Sequence, residues 1–482
     1  MPEEYSIYKK IGFILGPILF LVVYNLPFEM ISAEADDVLA VAIWMVAWWI
    51  TEAVSISVTA LIPLAIFPLL GIMDMKTVSA NYGSPIVFLF FGGFVMALAL
   101  EKVNLHRRIA LNIIRFTGTT PDKVILGFML ATASLSMWIS NTATTVVMLP
   151  IALSVIELLI NDENGFTSKD RNFALCLMLG IAFSANVGGI ATIIGTPPNI
   201  VMTGFMEQEY DMQISFLKWM LMGVPFSCLI IGLIYFVLVK LIYPSGLSEL
   251  PESDKIIDAE LAKLGKVQKR ERRVIIIFLI TIFLWIFRSY VNDLIPFINL
   301  SNAGISMLAA LALFSIPFEF NKGEFSLEWK DTVRLPWGIL ILFGGGLSLA
   351  SGLSSTGVID FIGNMVATSG FNNIFIIASF LILIMLFMTE LMSNVALVAI
   401  FCPVVAGIAI GLDYEVLHLM IPVTMASSCA FMLPMATPPN AIIFASGYVK
   451  VHEMAKAGVI LNLISVLIII LFSLFVIPYL FA

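Results

Sequence analysis

Apolar stretches recur along almost the whole chain, separated by short segments rich in Gly, Pro, Asn or charged residues. About 20 apolar residues suffice for an α-helix to cross roughly 30 Å of hydrocarbon. The pattern predicts an all-α polytopic membrane protein. The predicted spans lie near 11–28, 36–54, 57–73, 84–102, 172–206, 215–243, 272–290, 303–318, 333–350, 417–447 and 457–481.

Two further apolar stretches, 123–160 and 373–411, are too long for one crossing and too short for two well-separated ones. Each has a Ser-Asn pair near its middle, at 140–141 and at 393–394. A polar pair deep in hydrocarbon is costly unless it lines a site. We therefore expect two re-entrant hairpins, each entering and leaving the membrane on one face.

Lys and Arg lie almost entirely on one side of the resulting topology. With eleven spans, two hairpins and a cytoplasmic N-terminus, the cytoplasmic side holds all 25 basic residues except Lys76, Lys218 and Arg288. This bias is the one that orients membrane proteins. It places the C-terminus outside, brings the first hairpin in from the cytoplasm and brings the second in from the outside.

The composition agrees with this class. Hydrophobic residues make up 60% of the 482 residues and charged residues only 12%, whereas soluble domains carry about 25% charged residues. The four cysteines and three histidines lack pairing or metal-binding spacing. The net charge of −8 adds little, because the placement of the basic residues carries the information.

The two halves of the chain share an ordered set of motifs. A shift of 253 residues places the Ser-Asn pair at 140–141 onto that at 393–394. The Thr-Pro-Pro-Asn runs at 196–199 and 437–440 are 241 residues apart, and one insertion in the polar run 161–172 explains the difference. Since the hairpins enter from opposite faces, the halves form an inverted repeat, which points to a transporter.

The Pro-Pro pairs predict helix breaks, because proline lacks an N–H and clashes with the preceding turn. A break frees carbonyl oxygens near Gly195 and Ala436 to bind a hard cation. Serine and threonine hydroxyls four residues apart lie on one helix face and can join them. The candidate pairs are Ser136 with Ser140 and Thr389 with Ser393, beside the amides of Asn141 and Asn394.

The same breaks predict an anion site without a basic side chain. Helices starting after Ser140-Asn141 and after Thr196, and their counterparts in the second half, direct N–H groups and positive dipole ends toward the site. Glu390 is outside this symmetric set, since its repeat counterpart is Met137. A structural, hydrogen-bonded role for Glu390 is favoured over proton transfer.

The motif set resembles the divalent anion/sodium symporter family, the sodium-coupled dicarboxylate and citrate transporters, over nearly the whole chain. The resemblance implies a homodimer whose transport domains move as elevators against scaffold domains. It implies a scaffold at 1–116 and 274–350 and a transport domain at 117–243 and 351–482. Between the halves, the residues themselves predict a cytoplasmic amphipathic linker helix at 244–273, with an apolar stripe at Ile256, Ile257, Leu261, Leu264 and Val267 beside several basic residues. The transport domain would contain both hairpins and the broken helices 172–206 and 417–447.

By position, the resemblance implies two sodium sites and one substrate site. The first sodium site would involve Ser136, Ser140, Asn141 and Gly195, and the second Thr389, Ser393, Asn394 and Ala436. Substrate carboxylates would contact Asn141, Thr142, Thr196, Pro198, Asn394, Val395, Thr437 and Pro438. Val395 departs from the family, which often has threonine there; losing one hydroxyl donor costs about 1 kcal/mol and is expected to adjust substrate preference.

The predicted function is sodium-driven import of a di- or tricarboxylate, such as succinate, malate, fumarate or citrate, across the cell membrane. A sodium-independent dicarboxylate exchanger of the same fold and a sulfate transporter are alternatives. An intramembrane enzyme is disfavoured, because the sequence has no activated nucleophile or His-Glu-x-x-His motif. A channel would not need the inverted repeat.

Overall fold

The computed structural model describes residues 6–26, 32–118, 120–160, 166–247, 253–295, 297–368, 370 and 373–481. These residues are mostly helical. In the first half the helices are α1 (Ile7–Asn25), α2 (Ala33–Thr51), α3 (Ile56–Thr59), α4 (Ile62–Leu70), α5 (Met75–Tyr82), α6 (Pro85–Lys102), α7 (Leu105–Thr117), α8 (Pro121–Ser136), α9 (Asn141–Ile160), α10 (Ser168–Ile190), α11 (Pro197–Tyr210) and α12 (Phe216–Tyr235), which continues as a π-helix over Phe236–Ile242.

The second half continues the pattern and adds one small hairpin of strands. Its helices are α13 (Ser253–Leu264), α14 (Lys269–Ile286), α15 (Arg288–Leu294), α16 (Asn302–Ser315), α17 (Trp337–Ser355), α18 (Val358–Thr368), α19 (Ile374–Met388), α20 (Asn394–Gly411), α21 (Val416–Ser427), α22 (Pro438–Ala445), α23 (Val451–Phe475) and α24 (Ile477–Leu480). Strands β1 (Pro317–Glu319) and β2 (Glu324–Phe325) pair antiparallel. Two short 3₁₀ helices cover Phe320–Lys322 and Trp329–Arg334.

Local sequence explains where many of these helices begin. Proline occupies the first turn of α6, α8, α11 and α22, where its missing N–H has no intrahelical partner to lose. Ser32, Ser215 and Ser301 cap α2, α12 and α16 by accepting a backbone N–H. Thr167 and Asp170 form a reciprocal capping box at the start of α10.

Helix α10 lies at the centre of the molecule. Every residue from Phe173 to Ile190 is buried, and the helix packs against α8, α9, α12 and α22. Small residues permit this close packing: a Cβ on Gly188 would lie 2.6 Å from Ala133 Cα on α8. Helix α11, which follows α10 after a short interruption, is thereby attached to a helix that is held on all sides by close packing.

By length and composition, seven helices of the described part of the chain can cross a membrane, or eight if α14 and α15, bent by 77°, form one span. The protein is therefore a multi-pass membrane protein. The predicted count of eleven spans stays a prediction, because several predicted spans are shorter or interrupted helices. The span at 57–73 is divided into α3 and α4, and that at 417–447 into α21 and α22.

Several predicted boundaries differ from the structure. The predicted span 333–350 is shifted, since α17 runs over Trp337–Ser355, and the scaffold boundary at 350 falls inside this helix. The linker boundary at 273 likewise falls inside α14. The last span starts earlier than 457: α23 begins at Val451, and the Glu453 carboxylate accepts the backbone N–H of Lys450 at 2.9 Å at its start. Residues 27 and 28 of the first predicted span, residues 161–165 of the polar run and residues 248–252 of the linker lie outside the described residues.

The linker contains the expected helix, α13, which packs against α7 and α9. Its Ile257 is buried, but Val267 of the predicted apolar stripe follows the helix and is exposed. Glu260 accepts hydrogen bonds from Lys263 (2.6 Å) and from Arg107 of α7. The Lys263 ammonium, and then Arg107, hold the pKa of Glu260 below its usual range. The attraction is therefore present at neutral pH and is lost only as pH falls through this lowered pKa.

Candidate functional site

The first helix break separates α10 from α11 and comprises residues 191–196. All of its residues are buried. Asn199, in the first turn of α11, closes the break: its Nδ2 donates to the carbonyl oxygens of Thr192 (2.9 Å) and Gly189 (3.4 Å). The asparagine after the two prolines thus satisfies backbone acceptors that the interrupted helix leaves free.

The second helix break separates α21 from α22 and comprises residues 428–437. Asn440 Nδ2 donates to the carbonyl oxygens of Leu433 (3.1 Å) and Ala430 (3.2 Å). Donor and acceptors are each 241 positions beyond those of the first break. The two breaks therefore share one hydrogen-bond pattern.

The first tip, residues 137–140 between α8 and α9, brings predicted sodium ligands together. Ser136 Oγ lies 2.7 Å from Asn141 Oδ1 and 2.6 Å from the carbonyl oxygen of Ala185. Asn141 Oδ1 faces only acceptors; turning the amide over places Nδ2 there, 3.2 Å from the Ala185 oxygen and 3.3 Å from the Gly195 oxygen. Four polar atoms thus converge from the first tip, α10 and the first break.

Glycine is required where the first break turns back on α10. A Cβ on Gly195 would lie 2.5 Å from the Gly189 carbonyl oxygen, a distance that no side chain tolerates. Ser140, the remaining residue of the predicted first set, has a different contact. Its hydroxyl accepts the N–H of Ala143 at 3.2 Å and so caps the first turn of α9.

The second predicted set is less closely joined. Thr389 Oγ1 donates to the carbonyl oxygen of Ser427 at 2.7 Å, next to the second break. The N–H of Ala436 donates to the Leu433 oxygen at 3.2 Å within the break. Among the described contacts, none joins the half-buried Ser393 or Asn394 side chain to the other two. Residues 389–393 between α19 and α20 form the second tip.

Glu390 of the second tip is buried and fully hydrogen-bonded, as expected. Its carboxylate accepts the backbone N–H groups of Phe431 (2.8 Å), Met432 (3.0 and 3.1 Å) and Leu433 (3.1 Å). It also accepts the Asn462 amide of α23 at 2.7 Å. One carboxylate thus holds the beginning of the second break against the second tip.

The predicted substrate residues differ in accessibility. Thr142 and Pro438 are exposed, Asn141 and Asn394 are half-buried, and Thr196, Pro198, Val395 and Thr437 are buried. The Thr196 hydroxyl is buried without a hydrogen-bond partner in the described structure. Helices α11 and α20 begin without a side-chain cap, and their N-termini can bind an anion; in α11, which starts with two prolines, the first N–H is that of Asn199.

The helices that begin at the motifs pack across the two halves. Helix α9 packs against α22, and α11 packs against α20. Each helix that follows a tip thereby contacts the helix that follows the break of the other half. This crossed packing places the two motif sets in one part of the molecule.

A cavity of about 130 Å³ lies between α6, α11 and α16 and reaches the first break at Ile193. None of the predicted site residues lines it. Near its outer end Gln213 donates to Glu207 at 3.0 Å and accepts from Arg288 of α15 at 3.3 Å. Within the described residues, no group of three His, Cys, Asp or Glu side chains could hold a metal ion.

Sequence reasoning missed several residues of the site. Ala185 and Thr192 contribute carbonyl oxygens, which no side-chain pattern reveals. Asn199 and Asn440 were visible as the last residues of both Thr-Pro-Pro-Asn runs, but no role was predicted for them. Their repetition was the signal that could have assigned one.

Two solved transporters share this fold. MtrF of Neisseria gonorrhoeae, whose structure is described as illuminating a class of antimetabolite efflux pumps, matches with a TM-score of 0.57 and 13% identity, covering 84% of this chain and 83% of that chain. The YdaH transporter of Alcanivorax borkumensis matches with a TM-score of 0.54 and 13% identity, covering 83% and 88%. The fold class is that of a helical membrane transporter.

Residues 9–481 match the family described as the sodium:sulfate symporter transmembrane region, and the chain belongs to this family. It is 37% identical over 483 residues to the sodium-dependent dicarboxylate transporter SdcS of Staphylococcus saprophyticus, covering 99% of this chain and 93% of the relative. It is 38% identical over 486 residues to SdcS of Staphylococcus aureus strain USA300, covering 99% and 92%. The predicted family is confirmed, and the protein is a transporter rather than an enzyme.

Proposed function

We propose that this protein imports C4 dicarboxylates by sodium symport. One observation carries the proposal: the Ser136 hydroxyl, the Asn141 side-chain amide and the carbonyl oxygens of Ala185 and Gly195 meet at the first tip, with contacts of 2.6–3.3 Å. With its oxygen toward this point, the Asn141 amide would join the serine hydroxyl and the two carbonyl groups as neutral oxygen ligands of a hard cation. Sodium, as the coupling ion, fits these neutral ligands.

A second sodium ion is proposed at Thr389, Ser393, Asn394 and Ala436. The shared hydrogen-bond pattern of the two breaks supports it, since it indicates an equivalent backbone course in the two breaks, which contain Gly195 and Ala436. Ser140 and Ser393 then contribute to the two sites as predicted. Together the two ions would offset the charge of a dicarboxylate dianion.

The substrate carboxylates are proposed to bind at the uncapped N-termini of α11 and α20, with Thr142 and Pro438 on the accessible side. Asn141, Asn394, Thr196, Thr437, Pro198 and Val395 complete the proposed site. The names of the SdcS relatives favour a dicarboxylate. The family description favours sulfate as the alternative substrate.

Transport is proposed to follow an elevator mechanism in a homodimer in the cell membrane, with the N-terminus cytoplasmic and the C-terminus outside. The transport domain comprises 117–243 and 351–482, and the scaffold 1–116 and 274–350. The crossed packing of α9 with α22 and of α11 with α20 supports the movement of both motif sets as one unit.

The test is uptake of radiolabelled succinate into proteoliposomes with and without an inward sodium gradient. We expect sodium-driven accumulation that is lost in Asn141→Ala and Asn394→Ala. The matched control is Asn112→Ala, at an exposed amide of α7 that bonds only to Arg108 of its own helix. Uptake that ignores sodium but requires internal dicarboxylate would establish an exchanger instead. Sulfate uptake without succinate uptake would overturn the dicarboxylate assignment.

A further inference from the structure

Asn186 reaches from the first half of the protein into the second break. It lies on α10, is 2% exposed, and its Nδ2 donates to Thr437 Oγ1 (3.0 Å) and Asn440 Oδ1 (3.2 Å). The carbonyl oxygen of Ala430 is 3.4 Å from the same nitrogen. All three acceptors belong to the second break or to the first turn of α22.

The peptide group that joins Ala185 to Asn186 also faces the proposed first sodium site. The carbonyl oxygen of Ala185 contacts Ser136 Oγ at 2.6 Å, and its carbon is bonded to the Asn186 nitrogen. Because the peptide group is planar and stiff, an ion that pulls the Ala185 oxygen changes the position from which the Asn186 side chain extends. Binding at the first site is thus linked to the geometry of the second break.

Among the described residues, the second-half position equivalent to Asn186 does not bond to the first break. The position 241 residues beyond Asn186 is Ser427. The Ser427 hydroxyl donates to the Thr424 oxygen of its own helix at 2.7 Å. Each break is closed by its own asparagine, Asn199 or Asn440, but only the second also binds a side chain of the other half among the described contacts of these positions.

We propose that Asn186 is a positioning residue that couples the two sodium sites. It aligns Thr437 and the start of α22 when sodium binds at Ser136 and Asn141, so that occupation of the first site favours the second. The inference rests on the proposed sodium symport and assigns one residue to its cooperativity. Such coupling is reciprocal by linkage and is typically worth a factor of 5 to 150 in affinity.

The test is a double-mutant cycle read at the second break without transport. The reporter is Met435→Cys, at a 75% exposed position of this break, in a background where the exposed Cys228 is replaced by serine. The sodium concentration that half-protects this cysteine from a water-soluble maleimide is measured in detergent. Ser136→Ala is combined with the wild-type Asn186 and with Asn186→Ala.

With Asn186 present, Ser136→Ala should raise the sodium midpoint about tenfold. In the Asn186→Ala protein, whose midpoint is already raised, Ser136→Ala should raise it no further. The matched control, Ser427→Ala, should leave the full effect of Ser136→Ala in place. If Asn186→Ala fails to fold, Asn186→Ser, whose hydroxyl is too short to reach Thr437, takes its place in the same cycle.

Two results would overturn the inference, and they differ in meaning. Independent, multiplicative effects of the two substitutions on the midpoint would leave the sodium sites standing and remove the role of Asn186. Maleimide labelling that does not respond to sodium even with all native site residues would contradict the proposed sodium symport itself.

Discussion

At the residue scale, the two halves use different chemistry at the same pair of positions. In the first half, Thr192 Oγ1 donates to the carbonyl oxygen of Met137 at 2.6 Å. In the second half, Leu433 corresponds to Thr192 and Glu390 corresponds to Met137. Here the backbone N–H of Leu433 donates to the Glu390 carboxylate at 3.1 Å. Glu390 therefore substitutes for a hydroxyl–carbonyl contact. It does more than that contact, since it also accepts two further N–H groups of the longer break.

Removing Glu390 should destabilise the protein strongly. Glu390→Ala leaves three backbone N–H groups, one buried and two part-buried, and the buried Asn462 amide without their acceptor, and each buried loss costs about 1–3 kcal/mol. Glu390→Gln keeps one acceptor oxygen and should lower the melting temperature less. Thermal unfolding in detergent checks this, with Glu157→Ala, at an exposed position of α9, as control. Equal melting temperatures for the two alanine variants would disprove the role.

Val395 should set part of the substrate preference. Val395→Thr adds a hydroxyl at nearly constant volume beside the start of α20, and one net hydrogen bond of about 1 kcal/mol corresponds to a change of roughly fivefold in affinity. We expect the ratio of the succinate and citrate KM values to change by about this factor. The measurement is competitive uptake in proteoliposomes. Val398→Thr, one turn further along α20, is the control, and an equal change there would refute a direct contact.

What could be predicted at this scale was the set of side chains that repeat. Ser136 and Asn141 were both expected at one site and their side chains do meet, whereas Ser140, paired with Ser136 by its spacing, caps α9 instead. The Ala185 oxygen and the Asn186 amide could not be found in that way. They act through a helix distant in sequence, and their positions depend on the packing of α10 rather than on any local pattern.

At the element scale, the sequence predicted where each break ends but not where it begins. Proline fixes where α11 and α22 begin, at Pro197 and Pro438. The preceding helices end at Ile190 and Ser427, so the second break is longer than the first. Two features accompany this greater length. The second break contains an additional proline, Pro434, and its backbone N–H groups are accepted by the Glu390 carboxylate. The carboxylate accepts N–H groups that would otherwise need the carbonyl acceptors of a helix. This tertiary contact is not encoded in the local sequence.

The linker helix α13 should depend on one arginine of α7. Arg108 donates to the Glu271 carboxylate at 2.8 and 3.2 Å and to the carbonyl oxygens of Gly265 (2.9 Å) and Leu264 (3.1 Å). Both side chains of the pair are nearly buried, at 14% and 8% exposure. Arg108→Ala leaves an uncompensated charge and should cost about 3 kcal/mol, seen as a lower melting temperature.

Arg115 provides the matched control for this prediction, because it lies on the same helix and pairs with Asp258 of the same linker helix at 3.3 Å. Its side chain is 62% exposed and that of Asp258 is 54% exposed. An exposed pair is worth less than about 1 kcal/mol. Arg115→Ala should therefore leave the melting temperature almost unchanged, and similar losses in both variants would contradict the distinction.

At the scale of the whole molecule, family and transport class followed from four short motifs, because chance rarely places them in order. The relative position of the predicted domains did not follow. Helices α17 and α20 approach each other at the small apolar residues Gly346 and Ala399, and small residues alone do not fix one register. Only the packed structure selects one of them.

That interface offers the test of the elevator movement. A Cβ on Gly346, in the predicted scaffold, would lie 3.2 Å from Ala399 Cβ in the predicted transport domain, close to the separation in a disulfide. Gly346→Cys with Ala399→Cys, in a Cys228→Ser background, should cross-link on oxidation. Sodium-driven uptake should then stop and return with a reducing agent, because the proposed elevator movement requires the two helices to slide past each other. Each single cysteine variant, oxidised alike, should keep its uptake. Full uptake by the cross-linked protein would exclude movement at this interface and with it the proposed division into domains.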